Sequence, residues 1–276
     1  MIILLTNDDG YNAQGIQVLE EVLSQKGHEV WVCAPSDQQS AQSHAMSLRG
    51  KIKIHRYGDR HYHCSGTPSD CILYGLGGNA IPVIPDVIIS GINHGYNAST
   101  DILYSGTVGA ASEGALRGYP SIAISARMNP TTKEYPFEIG ALFVHEHLEE
   151  FLPFCTRDVL LNINIPPIPN GAWRIGHIGQ LEYLDVVERT TGPTNMSFDA
   201  KQTQVGLGYG EPSVTIGEEI LYTLNNKVGP SLRIDMEESD FSLLSEGFIS
   251  VSPILVHPSV DETTIAKMKK ILAKEA

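Results

Sequence analysis

A chain of 276 residues with 42% hydrophobic content can bury a substantial core, and this length lies near the upper size of one domain, so one elaborated domain spanning 1–276 is expected. The net charge of -13, from 32 acidic against 19 basic residues, makes the electrostatic contribution to binding long polyanions or anionic membranes repulsive. A polymeric nucleic acid groove and a membrane surface are therefore excluded as partners, and any anionic ligand must be small and locally neutralised.

Met1 to Thr6 reads as a buried strand that ends abruptly in Asn7-Asp8-Asp9-Gly10. Ile16, Leu19, Val22 and Leu23 then recur at helical spacing, and Lys26-Gly27 stops that helix before the strand HEVWVCAP. A crossover of this length joins parallel strands right-handedly. After the polar stretch SDQQSAQSHAMSL, the segments IKIHRY and RHYHC with Gly58-Asp59 between them predict a hairpin beside the main sheet, inserted in the winding. Alternation resumes with a helix from about Ser69 to Leu76, the strand PDVIIS, the loop GINHGYNASTDILYSG, a helix from about Thr107 to Leu116, and the strand SIAISA. A helix from about Phe137 to Leu152 and the strand VLLNINI add one more repeat. This pattern specifies an α/β fold built on an open, doubly wound, mostly parallel sheet with its main core over 1–165. Residues 173–238 weaken into short Gly- and Thr-rich alternating pieces, read as hairpins or an extended carboxyl-terminal arm; FISVSPI then returns as a strand, and Ile265, Met268, Ile271 and Leu272 mark a final amphipathic helix within 239–276.

Cys33, Cys64, Cys71 and Cys155 show no CxxC spacing and are read as buried free thiols of a reducing compartment. With no leader pattern and no run of about eighteen apolar residues, a cytoplasmic location is expected, and the N-x-S sequons at Asn97 and Asn195 are chance matches.

In such a sheet, ligands bind outside the carboxyl ends of the strands. Four strand ends or loops carry unusual polar residues: Asp8-Asp9, the loop with Ser40, Gly91-Ile92-Asn93, and Tyr104-Ser105-Gly106-Thr107 at a helix start. Two adjacent carboxylates turned towards one point repel, and one would take up a proton unless a cation sits between them. Asp8 and Asp9 would neutralise a divalent ion, and Ser40 and Asn93 would complete an all-oxygen shell suited to magnesium, manganese or calcium rather than zinc. The alternative is a turn or helix cap with no metal. Ser105, Gly106 and Thr107 open a small-residue helix whose amide hydrogens form an anion site, or else a plain cap above a tightly packed helix. Together a metal and an anion site imply a phosphate ester, with Asn97 able to donate to a third phosphoryl oxygen. His94 is a candidate for proton transfer to a leaving group. His61 and His63 share a strand face and are read as strand histidines rather than metal ligands, and GLGG at Gly75 to Gly78 follows a helix, unlike a dinucleotide-binding turn.

The stretches LLTNDDGYNAQGI, VCAPSDQQS, GTPSDCILYGL and above all SGINHGYNASTDILYSGTVGAASEG resemble the stationary-phase survival protein SurE family of metal-dependent 5'/3'-nucleotidases, densely from Ile2 to Ala126. The resemblance implies a Rossmann-like fold and removal of phosphate from nucleoside monophosphates with magnesium or manganese. It implies metal ligands at Asp8, Asp9, Ser40 and Asn93 and phosphate contacts at Asn97, Ser105, Gly106 and Thr107; beside such a metal, Asp8 and Asp9 are read as the catalytic pair, one of them orienting a metal-held water or Asp8 itself attacking. It also implies homodimers or homotetramers that exchange carboxyl-terminal arms. The chain departs from the family in carrying Ala41 and Ser99 where glycine is common and Ala45 where a hydroxyl is common, and these changes bear on the loops of the site. Three rivals share parts of this pattern. A phosphate-sensing receiver-like module would need an acceptor Asp and a Lys where Asn93 and Arg127 stand, a haloacid-dehalogenase-like phosphatase would need D-x-D spacing, and a broad acid phosphatase or exopolyphosphatase would share the same site.

Overall fold

The structure, a computed structural model, describes residues 1–183, 186–190, 221–225, 231–234, 238–259 and 261–275. In chain order its elements begin β1 (Ile2–Thr6), α1 (Gln14–Gln25), β2 (Glu29–Pro35), β3 (Ile54–Arg56), β4 (His61–Cys64), α2 (Pro68–Gly77) and β5 (Val87–His94). A 3-10 turn over Ser99–Leu103 precedes α3 (Gly106–Leu116), β6 (Ser121–Ala126), α4 (Phe137–Phe151), β7 (Val159–Ile165) and β8 (Trp173–Ile175). The remainder is β9 (Gln180–Glu182), β10 (Val186–Thr190), β11 (Leu221–Asn225), β12 (Ser231–Ile234), α5 (Asp240–Ser245), β13 (Ile249–Leu255) and α6 (Glu262–Glu275).

The chain divides into two compact units, residues 1–179 with 235–276, and residues 180–234. The first is built on one nine-stranded sheet of order β3-β4-β2-β1-β5-β6-β7-β13-β8. From β4 to β7 every pairing is parallel; β3 and β13 run antiparallel to their inner neighbours β4 and β7, and β8 runs parallel to β13. Strands buried on both faces read as continuous apolar runs. On one face Ile3, Leu5 and Ile89 pack with Ile16, Leu19 and Leu23 of α1 and Val144 and Leu148 of α4. On the other, Leu4 and Ile88 meet Ile72 and Leu76 of α2, and Ala123 and Leu160 meet Val108 and Ala111 of α3. Each of the large side chains contributes about 1.5–3 kcal/mol by leaving water. In residues 180–234, β9 pairs antiparallel with β12 and β10 with β11. The rest of the expected arm lies outside the described residues.

The expected inserted hairpin is present, with β3 antiparallel to β4, and β4 pairs in parallel with β2, from Val32 with His61 to Pro35 with Cys64, so the hairpin extends the main sheet at its edge. The strand predicted over PDVIIS continues to His94, because the β5–β6 register shifts between Ser90 and Asn93 and pairing resumes at Asn93 with Ser125. Gly91 permits this: its φ is +141°, and a Cβ there would lie 2.2 Å from the Ile124 carbonyl oxygen. No helix among the described residues is long and apolar enough to cross a membrane.

Candidate active site

Strand order reverses at β1: β2 lies on one side of it and β5 on the other, and the loops leaving β1 and β5 border a crevice. Asn7 shapes the first loop. Its buried side-chain amide donates to the Gly10 carbonyl (2.8 Å) and its Oδ1 accepts the Gly10 N–H (3.2 Å), closing a turn that Gly10 completes at φ +97°. This turn frees Asp8 and Asp9 from strand alternation. Both line one cavity of about 250 Å3, together with Gln38, Ser40, Asn93, His94, Asn97 and Ser105.

Each carboxylate is held from a different element. Asp8 Oδ1 accepts the Thr107 hydroxyl of α3 at 2.5 Å. Asp9 Oδ2 accepts the His94 backbone N–H (3.0 Å) and lies 2.8 Å from His94 Nδ1. Asp8 is only 6% exposed, and burial above all, with the Asp9 charge adding to it, pushes its carboxyl up to about 6 against the lowering effect of the Thr107 hydrogen bonds. Burial, more than the repulsion expected of the pair, is what disfavours the charged form of Asp8.

The side-chain oxygens around the cavity fit a hard divalent cation. Asn93 donates through its side-chain amide to the Gly95 carbonyl (3.0 Å), so Oδ1 is the atom that would ligate a cation. Ser40 is exposed at the cavity rim and accepts from Gln38 Nε2 at 3.0 Å. Two carboxylates, a carboxamide and a hydroxyl make an oxygen set of the magnesium or manganese kind. Among the described residues no three His, Cys, Asp or Glu side chains cluster as a cage, so the set depends on its neutral oxygens.

The Ser40 loop is anchored along its length. The Gln39 N–H donates to the Asp8 carbonyl (2.7 Å), Ser43 donates through N–H and Oγ to the carbonyls of Tyr104 and Leu103, and His44 Nε2 meets Glu113 Oε2 at 2.9 Å. Farther on, fully buried Asp70 takes the Ser47 N–H and hydroxyl at 2.9 and 2.6 Å. Ala41 at φ +58° and Ser99 at φ +55°, the two positions where the resembling family commonly has glycine, both keep the left-handed backbone despite a Cβ.

Asn97 is fixed from the sheet. Its N–H donates to Asn164 Oδ1 (2.9 Å), its carbonyl accepts from Asn162 and Asn164, and its Nδ2 donates to Ser125 Oγ (2.8 Å), leaving one amide hydrogen for the cavity it lines. At the start of α3, Ser105 Oγ accepts the Val108 N–H (3.1 Å), so the cap reading of this serine holds alongside its place in the cavity wall. Thr107 is fully buried and its hydroxyl serves Asp8. Gly106 leaves room for Asp8 beside α3: a Cβ there would sit 2.9 Å from Asp8 Cβ.

His61 bonds Glu20 (2.5 Å) and His63 stacks on Tyr11 at 4.9 Å, both half-buried strand positions. Gly75 and Gly77 lie within the last turns of α2, with Gly78 its C-cap. Ser125, Asn162, Asn164 and Asp240, which shape the site, were missed in the sequence. Two asparagines on one face of an otherwise apolar strand, LNINI, were the available signal.

The chain matches the family model "Survival protein SurE" over residues 3–185. A protein of Desulfitobacterium hafniense named 5'-nucleotidase SurE is 35% identical over 98% of this chain and 96% of its own length. One of the same name from Synechococcus elongatus is 40% identical over 72% of this chain and 79% of its own. The crystal structure of the SurE protein from Aquifex aeolicus superposes with a TM-score of 0.73 at 27% identity, covering 99% of this chain and 100% of that one. With the family model spanning more than half of the residues and relatives above 30% identity along almost the whole length, this chain belongs to the SurE family.

Proposed function

We propose that the chain hydrolyses the phosphate monoester of nucleoside 5'-monophosphates, and secondarily of 3'-monophosphates, with magnesium or manganese held by Asp8, Asp9, Ser40 and Asn93. One observation carries the reading: adjacent carboxylates after β1, an asparagine ending β5 and the wall formed by Asn97 and Ser105 converge on one cavity at the sheet's reversal point. The relatives' name selects nucleotides among phosphate esters. A divalent cation would supply positive charge to the phosphoryl oxygens and acidity to a water that it holds.

The chain's own residues do the rest. Thr107 and His94 immobilise Asp8 and Asp9, so that a carboxylate can orient the attacking water in line with the leaving oxygen. Asn97 Nδ2 and the amide hydrogens opening α3 receive the charge that develops on the phosphoryl group. His94, in the cavity wall and hydrogen-bonded through Nδ1, stands where a proton can pass to the leaving group. Arm exchange in a homodimer or homotetramer and a cytoplasmic location belong to the same reading; the four free, buried cysteines support the second.

The test is a panel of nucleotides and simple phosphate esters assayed with magnesium, manganese and chelator, on the parent and on Asp8→Asn and Asp9→Asn. Metal-dependent release of phosphate from AMP, lost in both variants by about a hundredfold or more, is expected. Parent rates in either variant with metal present would overturn the assignment.

A further inference from the structure

Ser99 stands two residues beyond Asn97 in a left-handed conformation that costs any residue with a Cβ, and it is 1% exposed. What holds it is 141 residues away in sequence. The Ser99 N–H donates to Asp240 Oδ2 at 2.6 Å and the Ser99 hydroxyl to Asp240 Oδ1 at 2.5 Å. Asp240 is fully buried at the first position of α5, and its Oδ1 also accepts the N–H of Gly179 (3.1 Å) and of Phe241 (2.8 Å). Among the described residues it has no cationic partner in an ion pair, so these four donors are what satisfy its buried oxygens.

The position of this carboxylate in the chain matters as much as its bonds. Gly179 is the last residue before the chain leaves the first unit, and Asp240 lies five residues after the chain returns at position 235. The two crossing segments are also tied to each other, through His177 N–H to the Glu238 carbonyl (3.0 Å) and Asp240 N–H to the His177 carbonyl (2.7 Å). The loop that carries Asn97 is therefore held from two sides. Asn162, Asn164 and Ser125 hold it from β7 and β6, and Asp240 holds the next turn of the same loop from the crossing segments.

We propose that Asp240 is a positioning residue for phosphate recognition. It clamps Ser99 in the left-handed conformation, thereby aims Asn97 at the phosphoryl group, and makes the aim of that loop depend on the two segments through which the chain enters and leaves residues 180–234. The proposal rests on the reading of Asn97 as a phosphate contact. A side chain acting on stability alone would lower the melting point and leave ground-state and transition-state contacts intact in the folded fraction. A clamp on Asn97 moves KM and phosphate affinity.

The experiment uses the full chain with manganese and compares the parent with Asp240→Asn, Ser99→Ala and the double variant Asp240→Asn/Ser99→Gly. For each, kcat and KM with AMP, the affinity for inorganic phosphate by calorimetry, and the thermal midpoint are measured. Asparagine presents an N–H to a site of four donors, so Asp240→Asn is expected to raise KM and weaken phosphate binding about tenfold or more. Ser99→Ala, which removes one donor only, should weaken both about threefold to tenfold. Glycine costs nothing in the left-handed conformation that Ser99 adopts, so adding Ser99→Gly to Asp240→Asn should restore about threefold of the lost kcat/KM. Parent KM and phosphate affinity in folded Asp240→Asn, or no recovery in the double variant, would overturn the proposal. Should Asp240→Asn fail to fold, parent values in Ser99→Ala would overturn it alone. A parent inactive on every ester sinks the nucleotidase reading instead, and phosphate calorimetry across the variants still decides the clamp.

Discussion

Asp8→Asn is expected to make the protein more stable without metal while abolishing its activity. Burial, with the neighbouring Asp9 charge, raises the Asp8 carboxyl from 3.8 to about 6. A folded-state value above the unfolded one means that the native state binds more protons between about pH 4 and pH 6. Stability from this group is therefore complete below the lower value and is lost as pH rises through the upper one. At 1.36 kcal/mol per unit, a shift of about two units amounts to roughly 3 kcal/mol lost from the metal-free protein by pH 7. Asparagine keeps the shape and the Thr107 partner but cannot ionise. In urea melts with chelator, the variant should match the parent near pH 4 and exceed it by roughly 3 kcal/mol at pH 7. Saturating manganese should reverse the order at pH 7, because a cation bound only by the native state stabilises it and the parent binds it more tightly. A parent–variant difference that is the same at both pH values, or a less stable variant at pH 7 without metal, would refute the claim that Asp8 is electrostatically frustrated.

Gly106→Ala places a methyl group 2.9 Å from Asp8 Cβ and 3.0 Å from its Oδ2, so Asp8 must shift; calorimetry should show manganese affinity falling about tenfold or more with the fold retained by circular dichroism. Glu113 is buried in α3, which by itself would raise its carboxyl, but the hydrogen bonds from His44 and Arg117 more than offset this and hold it below its usual range. Its contribution is therefore present above about pH 4.5 and is lost as pH falls below that. Glu113→Gln should cost about 1–3 kcal/mol in urea melts at pH 7, with the difference shrinking towards pH 3.5. Because His44 belongs to the Ser40 loop, the same variant should also raise the manganese requirement for activity.

What was readable in the chain was local. Asn7-Asp8-Asp9-Gly10 carries its own turn chemistry, so the acid pair at a strand end could be located, and the small residues after Ser105 marked a helix packed hard on the sheet. Asp240 was not readable. Its partners Ser99 and Gly179 lie 141 and 61 residues away, and nothing about SDFSLLS distinguishes a helix cap from a clamp on a distant loop. Thr107 shows the same limit: its place at a helix start gives no sign that its hydroxyl is bonded to Asp8, 99 residues earlier.

The amino-acid sequence by itself determined the doubly wound layering, the order of the strands' apolar faces and the rim at which charged and amide side chains gather, because periodicity and turn chemistry act within a few residues. Only the tertiary structure decided the reach of β5 to Asn93, the direction of β13, and which distant group holds each site residue. Those depend on strand pairing and side-chain hydrogen bonds formed across the whole chain, and their energy exists only once remote segments have been brought within about 3 Å of one another.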